Sequence, residues 1–448
     1  MSGTKQIDVT NTSLIKIAYP IVIENLLFLA FSSVDIFMLS GYSDSAVAAV
    51  GLMTQYTWFL ITFMQVIPSG ATISLTNLLG GKQFERAKAL SRTCLQMIIF
   101  FAIIIGTAFA TAVPQILKHY TLDEEVRQYA TEYIIIYSAF CFFCGISMIQ
   151  STILRSYGHT RTAMIVNACA NFINILGNAI ALYGWFGLPV YGVKGVAVST
   201  VAAQAVGAIV LSAKVFSLSD TKYSIAKPFK IVKTEWKQIL KIGIPTAGES
   251  ISWNLAQMAV MVLITFYGTA SIAAFTYFGT ILRFIYMIAI SIGSAAQIKT
   301  GHYCGAGLHD IAYKKLWEYA AIGTAFSLSL ALFTFITRRQ IIGIFTTDYE
   351  VKYILISIMP ISFFLETGRA INVAFIPSLM AAGDIHFPVK AGIFSNWVIS
   401  FGLAFVFSRI LHMGFFGIVV AMACDECFRS VLMILRWKSK IWMTKSAI

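Results

Sequence analysis

Charged residues are scarce in this sequence. Asp, Glu, Lys and Arg make up 12% of its 448 residues, whereas hydrophobic residues make up 58% and the mean hydropathy is +0.77. Soluble domains are about 25% charged, so this chain has too few polar side chains to cover a surface that faces water. The deficit excludes a soluble globular protein and predicts that lipid surrounds most of the chain.

The motifs of common catalytic and energy-coupling sites are also missing. The sequence has no GxxxxGK(S/T) phosphate-binding loop, and it contains neither GxSxG nor HExxH. Its two close cysteine pairs, "CFFC" and "CDEC", lie in predicted helices without a nearby His, which favours packing over metal or redox chemistry. We therefore expect no enzyme and no cofactor, and we expect an ion gradient rather than ATP as the energy source.

Long hydrophobic runs fill the sequence, and we count twelve. Each is long enough to cross a hydrocarbon core of about 30 Å as an α-helix. The predicted spans lie near residues 14–40, 46–76, 90–116, 127–151, 161–186, 191–216, 239–266, 271–299, 315–338, 351–378, 387–410 and 413–436. The first run is too long and too often interrupted by polar residues for a cleaved signal peptide. The pattern predicts an all-α polytopic membrane protein.

The two halves of the sequence are related by an internal repeat. The segment "LIKIAYPIVIEN", around Pro20, returns without a gap as "ILKIGIPTAGES", around Pro245, at a shift of 225 residues. The same shift places "SAVAAVG" on "ASIAAFT". Duplicated membrane bundles are typical of secondary transporters. We therefore predict two tandem six-helix lobes related by a pseudo-twofold axis along the membrane normal, with an N-terminal lobe over 1–216, a cytoplasmic linker over 217–238 and a C-terminal lobe over 239–448.

Positive charge is distributed unevenly along the chain. Most of the 33 Lys and Arg lie at the N-terminus, in the even-numbered predicted loops and at the C-terminus. Loops rich in Lys and Arg stay in the cytoplasm, so we expect both termini there, in a multi-pass protein of the cell inner (plasma) membrane. The net charge of +13 is then explained by Lys and Arg in cytoplasmic loops, where they fix the topology and contact anionic lipid. Nucleic acid is not an expected partner, because the sequence has no soluble basic domain.

Ionisable residues inside the predicted spans are few, and Asp35 is the most isolated of them. It lies in "LAFSSVDIFML", and its repeat partner is Val260, so only the N-terminal half carries this acid. A charge at the centre of a membrane helix costs about 2.5–3.5 kcal/mol on insertion scales. We expect Asp35 to bind H⁺ or, where further oxygens converge on it, a monovalent cation. The alternative is that Asp35 lies near the outer interface and is simply hydrated.

Four asparagines form a stripe on the fifth predicted span. Their spacing of 4, 3 and 4 residues places them on one helical face; they are Asn167, Asn171, Asn174 and Asn178. Side-chain amides can hydrogen-bond a carboxylate or offer carbonyl oxygens to a cation. Ser199 and Thr200 of the sixth span can complete such a site. The alternative is that the asparagines only join neighbouring helices, at around 0.6 kcal/mol per bond.

The second half carries its own polar residues, which are secondary candidates for a polar cavity. They are Glu249, Asn254 and Gln257 in the seventh span, Arg283 in the eighth, and Glu366, Arg369 and Asn372 in the tenth. Glu366 and Arg369 are three residues apart and can neutralise each other on one helix. Contact with substrate is the alternative role for this pair.

Two further pairs of acids are expected to be structural or hydrated. Glu24 and Glu249 occupy the same place after the repeated prolines, which indicates a structural role near the cytoplasmic helix ends. Asp425 and Glu426 lie near the inner end of the twelfth span, where we expect water to reach them.

These motifs together resemble those of the multidrug and toxic compound extrusion (MATE) family, within the multidrug/oligosaccharidyl-lipid/polysaccharide exporter superfamily. The likeness covers nearly the whole chain and rests on the opening "P…EN…D", "SAVAAVG", "LLGGKQFERAKA", "GV.G.A.ST" and "E.GRA.N…AAGD". The resemblance implies a coupling site in the N-terminal lobe, to which Asp35, Asn174 and Thr200 correspond, and it implies a possible Na⁺ site formed by these three residues with Asn178. Asn178 stands where many members carry Asp.

Two departures from the family pattern affect the expected ion site. Asn178 leaves Asp35 as the only carboxylate of its cluster, so H⁺ and Na⁺ both stay open as the coupling ion. Some members carry a Glu eight residues after the proline of the seventh helix, where this chain has Trp253. A cation site of that kind is therefore not expected in the C-terminal lobe.

The function implied is a secondary active antiporter. It would export organic, often cationic lipophilic compounds in exchange for H⁺ or Na⁺, with small-molecule substrates and the lipid bilayer as its partners, and would work as a monomer. The alternative is a flippase for a lipid-linked oligosaccharide or another lipid, from the same superfamily. Such carriers often line their cavity with Arg, whereas only Arg283 and Arg369 are expected inside the membrane here.

Overall fold

The structure, a computed structural model, describes residues 7–223 and 232–445. Within these residues the secondary structure is entirely helical. The helices are α1 (Leu14–Ser40), α2 (Asp44–Met64), α3 (Val66–Gly80), α4 (Phe84–Leu117), α5 (Glu124–Ala139), α6 (Phe142–Ser156), α7 (Thr160–Tyr183), α8 (Gly192–Ser217), α9 (Lys233–Thr265), α10 (Gly268–Gly305), α11 (His309–Ile336), α12 (Arg338–Phe345), α13 (Tyr349–Ile358), α14 (Ile361–Ala381), α15 (His386–Phe394), α16 (Leu403–Phe405) and α17 (Gly414–Lys438). Two π-helical segments, Ser395–Gly402 and Val406–Ile410, flank α16.

The twelve predicted spans coincide with these helices. By length and apolar composition, eight spans are able to cross a membrane as they stand, and two more are bent pairs: α5 with α6, at 50°, and α13 with α14, at 55°. The remaining two predicted spans lie in α9 and α17, which are less apolar by the same criteria. The prediction of an all-α polytopic membrane protein with twelve spans in two tandem sets of six is confirmed.

The bend between α5 and α6 has a packing partner in α4. A Cβ on Gly106 would lie 2.3 Å from the Ser138 carbonyl oxygen and 2.6 Å from Cys141 Sγ. The glycine therefore lets α4 approach the chain where α5 ends and α6 begins. At the other bend, Pro360 directly precedes α14; proline is tolerated at a helix start but interrupts a continuing helix.

The described chain forms two compact units. The first contains Tyr19–Ala247 and the segment that ends at Thr12, and the second contains Ser13–Ala18 and the chain from Gly248 onward. Each unit has its own buried apolar cluster: Leu60, Met97 and Ile153 are fully buried in the first, as are Ile264, Leu355 and Ile418 in the second. Burial of these clusters stabilises each unit separately.

The boundary between the units falls inside α9, just after Pro245. The first half of α9 packs against α3 in the first unit: a Cβ on Gly243 would lie 2.0 Å from the Val66 carbonyl oxygen, and one on Gly70 would lie 2.6 Å from that of Ile239. Small residues let membrane helices approach closely. Of the predicted linker, residues 224–231 lie outside the described residues, and residues 233–238 form the first turns of α9.

Two glycines shape the turn that sets α7 beside α8. Gly184 follows α7 with φ +64°, and Gly192 begins α8 with φ +57°. Both values lie in the left-handed region, which glycine adopts without steric cost. Gly192 also lies against the Tyr42 hydroxyl, which is 2.7 Å from where its Cβ would be. The turn brings the asparagines of α7 beside the hydroxyl residues of α8.

Candidate functional site

Asp35 and Asn178 form a hydrogen-bonded pair between α1 and α7. Asn178 Nδ2 donates to Asp35 Oδ1 at 3.0 Å. Asp35 is partly buried, and Asn178 is 2% exposed. The other amide atom, Asn178 Oδ1, has no hydrogen-bond partner among the described residues. A buried acceptor without a partner costs about 1–3 kcal/mol, so the pair offers a carboxylate and an amide oxygen to a proton or a cation.

A second pair joins α7 to α8. Asn174 Nδ2 donates to Thr200 Oγ1 at 3.1 Å, and the Asn174 carbonyl oxygen accepts from Ser199 Oγ at 2.9 Å. Thr200 in turn donates to the carbonyl oxygen of Val196, one turn earlier in its own helix, at 2.9 Å. These contacts use backbone as well as side-chain groups, so they fix α7 and α8 in register.

Tyr133 of α5 contacts this region and was missed by sequence reasoning. The Thr200 hydroxyl and Asp35 both lie within electrostatic reach of its hydroxyl. The ring is buried and stacks on Tyr137, with centroids 6.1 Å apart and planes inclined by 7°. The signal in the sequence is the recurrence of Tyr at positions i and i+4 of an apolar span, which places both rings on one helical face.

Because Tyr133 is within electrostatic reach of both hydrogen-bonded pairs, we treat the five residues as one region and name it the N-terminal polar site: Asp35, Tyr133, Asn174, Asn178 and Thr200. It contains one carboxylate, two amides and two hydroxyls, and such oxygens suit a hard cation or a proton. Within residues 7–223 and 232–445, no group of three or more His, Cys, Asp or Glu is placed to hold a metal ion. The residues present thus fit a site of low charge.

Asn167 belongs to a different cluster of the first unit. Its Nδ2 donates to Glu24 Oε1 at 2.7 Å and to Ser151 Oγ at 3.2 Å. Glu24 also forms an ion pair with Arg155 at 2.5 Å. Asn167 lies about 16 Å of helical rise from Asn178, so the stripe of asparagines serves two separate groups of contacts.

The approach of α7 to α8 depends on Gly177, and its replacement gives a first prediction. A Cβ there would lie 2.1 Å from Ser199 Oγ and 2.9 Å from Ser199 Cβ. We expect Gly177→Ala to displace Ser199 from Asn174 and to lower stability by about 1–3 kcal/mol, the usual cost of overpacking. The measurement is the midpoint of thermal unfolding of the purified protein.

Two further variants test the cause of that effect. The double variant Gly177→Ala, Ser199→Gly lacks the Oγ and Cβ atoms of Ser199 that would collide with the new methyl group. We expect it to recover part of the lost stability. Gly51→Ala is the matched control, because nothing lies within 4 Å of the added methyl group, and it is expected to change stability by no more than about 0.5 kcal/mol. Equal losses for Gly51→Ala and Gly177→Ala would contradict the role of this contact.

In the second unit, Arg369 is shared by two carboxylates. Its Nη1 lies 3.0 Å from Glu366 Oε1 on the same helix, as the spacing predicts, and its Nε lies 3.3 Å from Glu426 Oε1 on α17. Asn372 Nδ2 donates to Glu426 Oε2 at 2.8 Å. The expectation that Glu426 is hydrated is therefore wrong: its side chain is 13% exposed and accepts two hydrogen bonds from α14, and its backbone carbonyl oxygen accepts a third.

The close approach of α14 to α17 explains these contacts. A Cβ on Gly368 would lie 2.6 Å from the Glu426 carbonyl carbon and 2.7 Å from the Cys427 nitrogen. With the backbones this close, the side chains of Arg369 and Asn372 reach across to Glu426. A membrane-facing or hydrated Glu426 would require α17 to rotate away from α14.

Arg429 is likewise shared by two carboxylates, and sequence reasoning missed it. Its guanidinium lies 2.6 Å from Asp425 Oδ2 and 3.9 Å from Glu249 Oε1. The expectation that Asp425 is hydrated is wrong, because Asp425 is buried and also accepts a hydrogen bond from Ser395 Oγ. The i,i+4 spacing of Asp425 and Arg429 on one helix was the available signal.

The π-helical segment after α15 contributes to this second group. Ser395 and Asn396 are buried there, and Asn396 Oδ1 lies 3.4 Å from Arg429 Nη2. Gly392 stands at the repeat position of Asn167 and leaves room for Glu249, whose Oε1 is 2.8 Å from where a Cβ would be. π-helical turns recur at functional sites, and this one directs two polar side chains toward α17.

Four predicted site residues stay outside these contacts. Asn254 donates to the Ser250 carbonyl oxygen of its own helix at 2.8 Å. Asn171 and Gln257 are partly buried, Arg283 is exposed, and none of the three makes a side-chain hydrogen bond or ion pair with a residue of the described chain. The charged group of the second unit therefore consists of Glu249, Glu366, Arg369, Asp425, Glu426 and Arg429; we name it the C-terminal charge cluster.

Comparison with known proteins gives matches over nearly the whole chain. The MatE family model matches twice, at residues 20–180 and 245–406, and the two matches begin 225 residues apart (245 − 20 = 225). The "Uncharacterized transporter YisQ" of Bacillus subtilis (strain 168) is 34% identical over 435 residues, which cover 97% of this chain and 95% of that protein. The "Probable multidrug resistance protein NorM" of Thermotoga maritima is 27% identical, with coverage of 97% and 94%.

Solved structures show the same fold. A MOP superfamily transporter from Pyrococcus furiosus, described as having a binding pocket of reverse polarity, aligns over 100% of both chains with a TM-score of 0.88 and 18% identity. A multidrug resistance MATE family transporter in an outward-facing conformation aligns over 98% of this chain and 99% of its own, with a TM-score of 0.88 and 19% identity. At these identities the likeness concerns the fold.

Proposed function

Because the chain belongs to the MatE family of transporters, we propose that it is a secondary active antiporter, and not an enzyme, that exports organic, often cationic lipophilic compounds in exchange for H⁺ or Na⁺. The observation that carries the proposal is the Asp35–Asn178 pair: a partly buried carboxylate held at 3.0 Å by an amide whose own oxygen has no partner among the described residues.

Exchange follows from competition for one negative charge. Two unit charges 4 Å apart attract each other by about 4 kcal/mol at an effective dielectric constant of 20, which corresponds to roughly a thousandfold in affinity. When H⁺ or Na⁺ neutralises Asp35, a cationic substrate loses this attraction and leaves. When substrate occupies the site, the coupling ion is displaced in the same way. Mutual exclusion is sufficient to couple the two movements.

The neighbouring side chains support this role for Asp35. Asn178 and Asn174 supply neutral amides, and Tyr133 and Thr200 supply hydroxyls, so Asp35 is the one carboxyl group of the site that can exchange a proton for a cation. These groups can orient around a proton or coordinate a sodium ion without adding a second negative charge. A site with one carboxylate exchanges one positive charge at a time.

Location and assembly complete the proposal. The chain would lie in the cell inner membrane with both termini in the cytoplasm, as the distribution of Lys and Arg supports, and would work as a monomer. Lipid flipping is the less favoured function, because an anionic lipid headgroup needs free cationic side chains. In the second unit, Arg369 and Arg429 are each held by two carboxylates, so of the two arginines predicted inside the membrane Arg283 alone has no side-chain hydrogen bond or ion pair among the described residues.

Transport into inverted membrane vesicles tests the proposal. We expect a fluorescent lipophilic cation to accumulate when a pH or Na⁺ gradient is imposed, and to leak out when an ionophore for the coupling ion collapses that gradient. Vesicles without the protein are the control. Movement of a lipid-linked oligosaccharide probe, without any gradient-dependent uptake of the cation, would instead support the flippase.

A further inference from the structure

The C-terminal charge cluster contains more carboxylates than its arginines can neutralise. Four carboxyl groups meet two guanidinium groups: Glu366 and Glu426 share Arg369, while Asp425 and Glu249 share Arg429. If all six groups were ionised, each set of three would carry one excess negative charge. The side chains are between 0% and 18% exposed. An uncompensated charge in such surroundings is strongly unfavourable, so protons or other cations must balance it.

Hydrogen bonds distinguish the two carboxyl groups that share Arg369. Both oxygens of Glu426 have donors, since Arg369 Nε lies 3.3 Å from Oε1 and Asn372 Nδ2 lies 2.8 Å from Oε2. Donors on both oxygens stabilise a carboxylate. Glu366 has a donor on Oε1 alone, while its Oε2 is buried without any hydrogen-bond partner in the described part of the chain. The residue as a whole is 0% exposed.

We propose that Glu366 is a second proton-binding site, located in the C-terminal half, and that it holds a proton at neutral pH. This goes beyond the proposed function, which assigns the coupling ion to Asp35. A proton on Glu366 leaves Arg369 paired with Glu426, so one guanidinium faces one carboxylate. In an ionised carboxylate the two oxygens share the negative charge, so Oε2 would carry about half of it without a hydrogen-bond partner. A proton on Oε2 makes this atom part of a neutral hydroxyl group.

The surroundings of Glu366 contain few other groups that titrate. Arg369 lies on its own helix, Glu426 faces it from α17, and the Tyr286 ring of α10 lies 4.7 Å from the Arg369 guanidinium. Cys427 of α17 also faces α14, through a contact of its Sγ with the Phe364 carbonyl oxygen. The part of α11 that follows Tyr319 contains no ionisable residue. Arg429 of α17 also interacts electrostatically with Glu426. Both arginines therefore favour a negative charge on Glu426, whereas Glu366 is paired with Arg369 alone.

The test compares Glu366→Gln with Glu426→Gln in the full-length purified protein. Gln is close in shape to a protonated Glu and is uncharged. We expect Glu366→Gln to leave the thermal unfolding midpoint nearly unchanged and to remove intensity from the infrared carbonyl band of neutral carboxylic acids, recorded at neutral pH and checked by its shift in D₂O. Glu426→Gln removes the ionised partner of Arg369, so we expect it to lower the midpoint clearly, even though Glu366 can then ionise beside Arg369 and weaken the same band.

Each contrary result overturns the proposal. If Glu366→Gln destabilises the protein as much as Glu426→Gln does, or prevents folding, Glu366 is an ionised partner of Arg369. If the carbonyl band survives Glu366→Gln unchanged, the proton lies elsewhere. If Na⁺ raises the unfolding midpoint of the intact protein but not that of Glu366→Gln, the site holds a metal cation. None of these measurements involves transport, so failure here is separable from failure of the proposed function.

Discussion

Asp35→Asn is expected to abolish gradient-driven export while the protein stays folded. The substituted side chain keeps an oxygen that can accept the 3.0 Å hydrogen bond from Asn178 Nδ2, so the geometry of the pair is preserved and only the charge is removed. An attraction of about 4 kcal/mol is then lost for cationic substrate and coupling ion alike. We expect uptake into inverted vesicles to fall at least 100-fold or to the level of empty vesicles, with an unchanged thermal unfolding midpoint.

A charge swap provides the control for this result. Asp35→Asn combined with Asn178→Asp moves the carboxylate across the same hydrogen bond and keeps one acid and one amide in the pair. If the site needs one carboxylate near Asn174 and Thr200, the double variant should recover part of the gradient-driven uptake. Asn178→Asp alone adds a second acid and is expected to change the ion dependence of uptake. Export by Asp35→Asn at the rate of the intact protein would refute the role assigned to Asp35.

The course of the helices was predictable because lipid imposes a simple rule on the chain. A backbone in hydrocarbon must satisfy its hydrogen bonds internally, so long apolar runs become helices, and the repeat of 225 residues predicts the same order in both halves. The bends were not predictable from composition. The break after Ala139 has no proline, and it is accommodated by Gly106, which is distant in sequence.

The candidate site was predictable only where a single helix displays it. The asparagine stripe follows from helical periodicity. That Asn167 contacts Glu24 while Asn178 contacts Asp35 depends on how α1 packs against α7, which periodicity does not reveal. Tyr133 of α5 belongs to the N-terminal polar site because the helices pack together, which the sequence of one helix does not reveal. The error at Asp425 and Glu426 came from reading these acids by distance from the helix end, without their partners on α14 and one turn further along α17.

Arg429→Met is expected to cost about 3–5 kcal/mol of stability, the penalty for breaking a buried ion pair by removing one partner. Arg429 lies 2.6 Å from Asp425, with side chains 7% and 5% exposed. The Lys315–Glu318 pair is a control of the same length, 2.6 Å within one helix, but its side chains are 43% and 54% exposed. Exposed pairs contribute roughly 0–1 kcal/mol, so Lys315→Met should change little.

Burial, rather than ion-pair distance, is then the variable that decides the result. The substitution leaves Asp425 and Glu249 facing each other without their shared cation, so the double variant Arg429→Met, Asp425→Asn should recover much of the loss by removing one stranded charge. Chemical denaturation of the four proteins, fitted to free energies of unfolding, gives the comparison. Similar losses of unfolding free energy for Arg429→Met and Lys315→Met would mean that water reaches Arg429. The charges of the C-terminal charge cluster would then be screened by solvent, as charges on an exposed surface are.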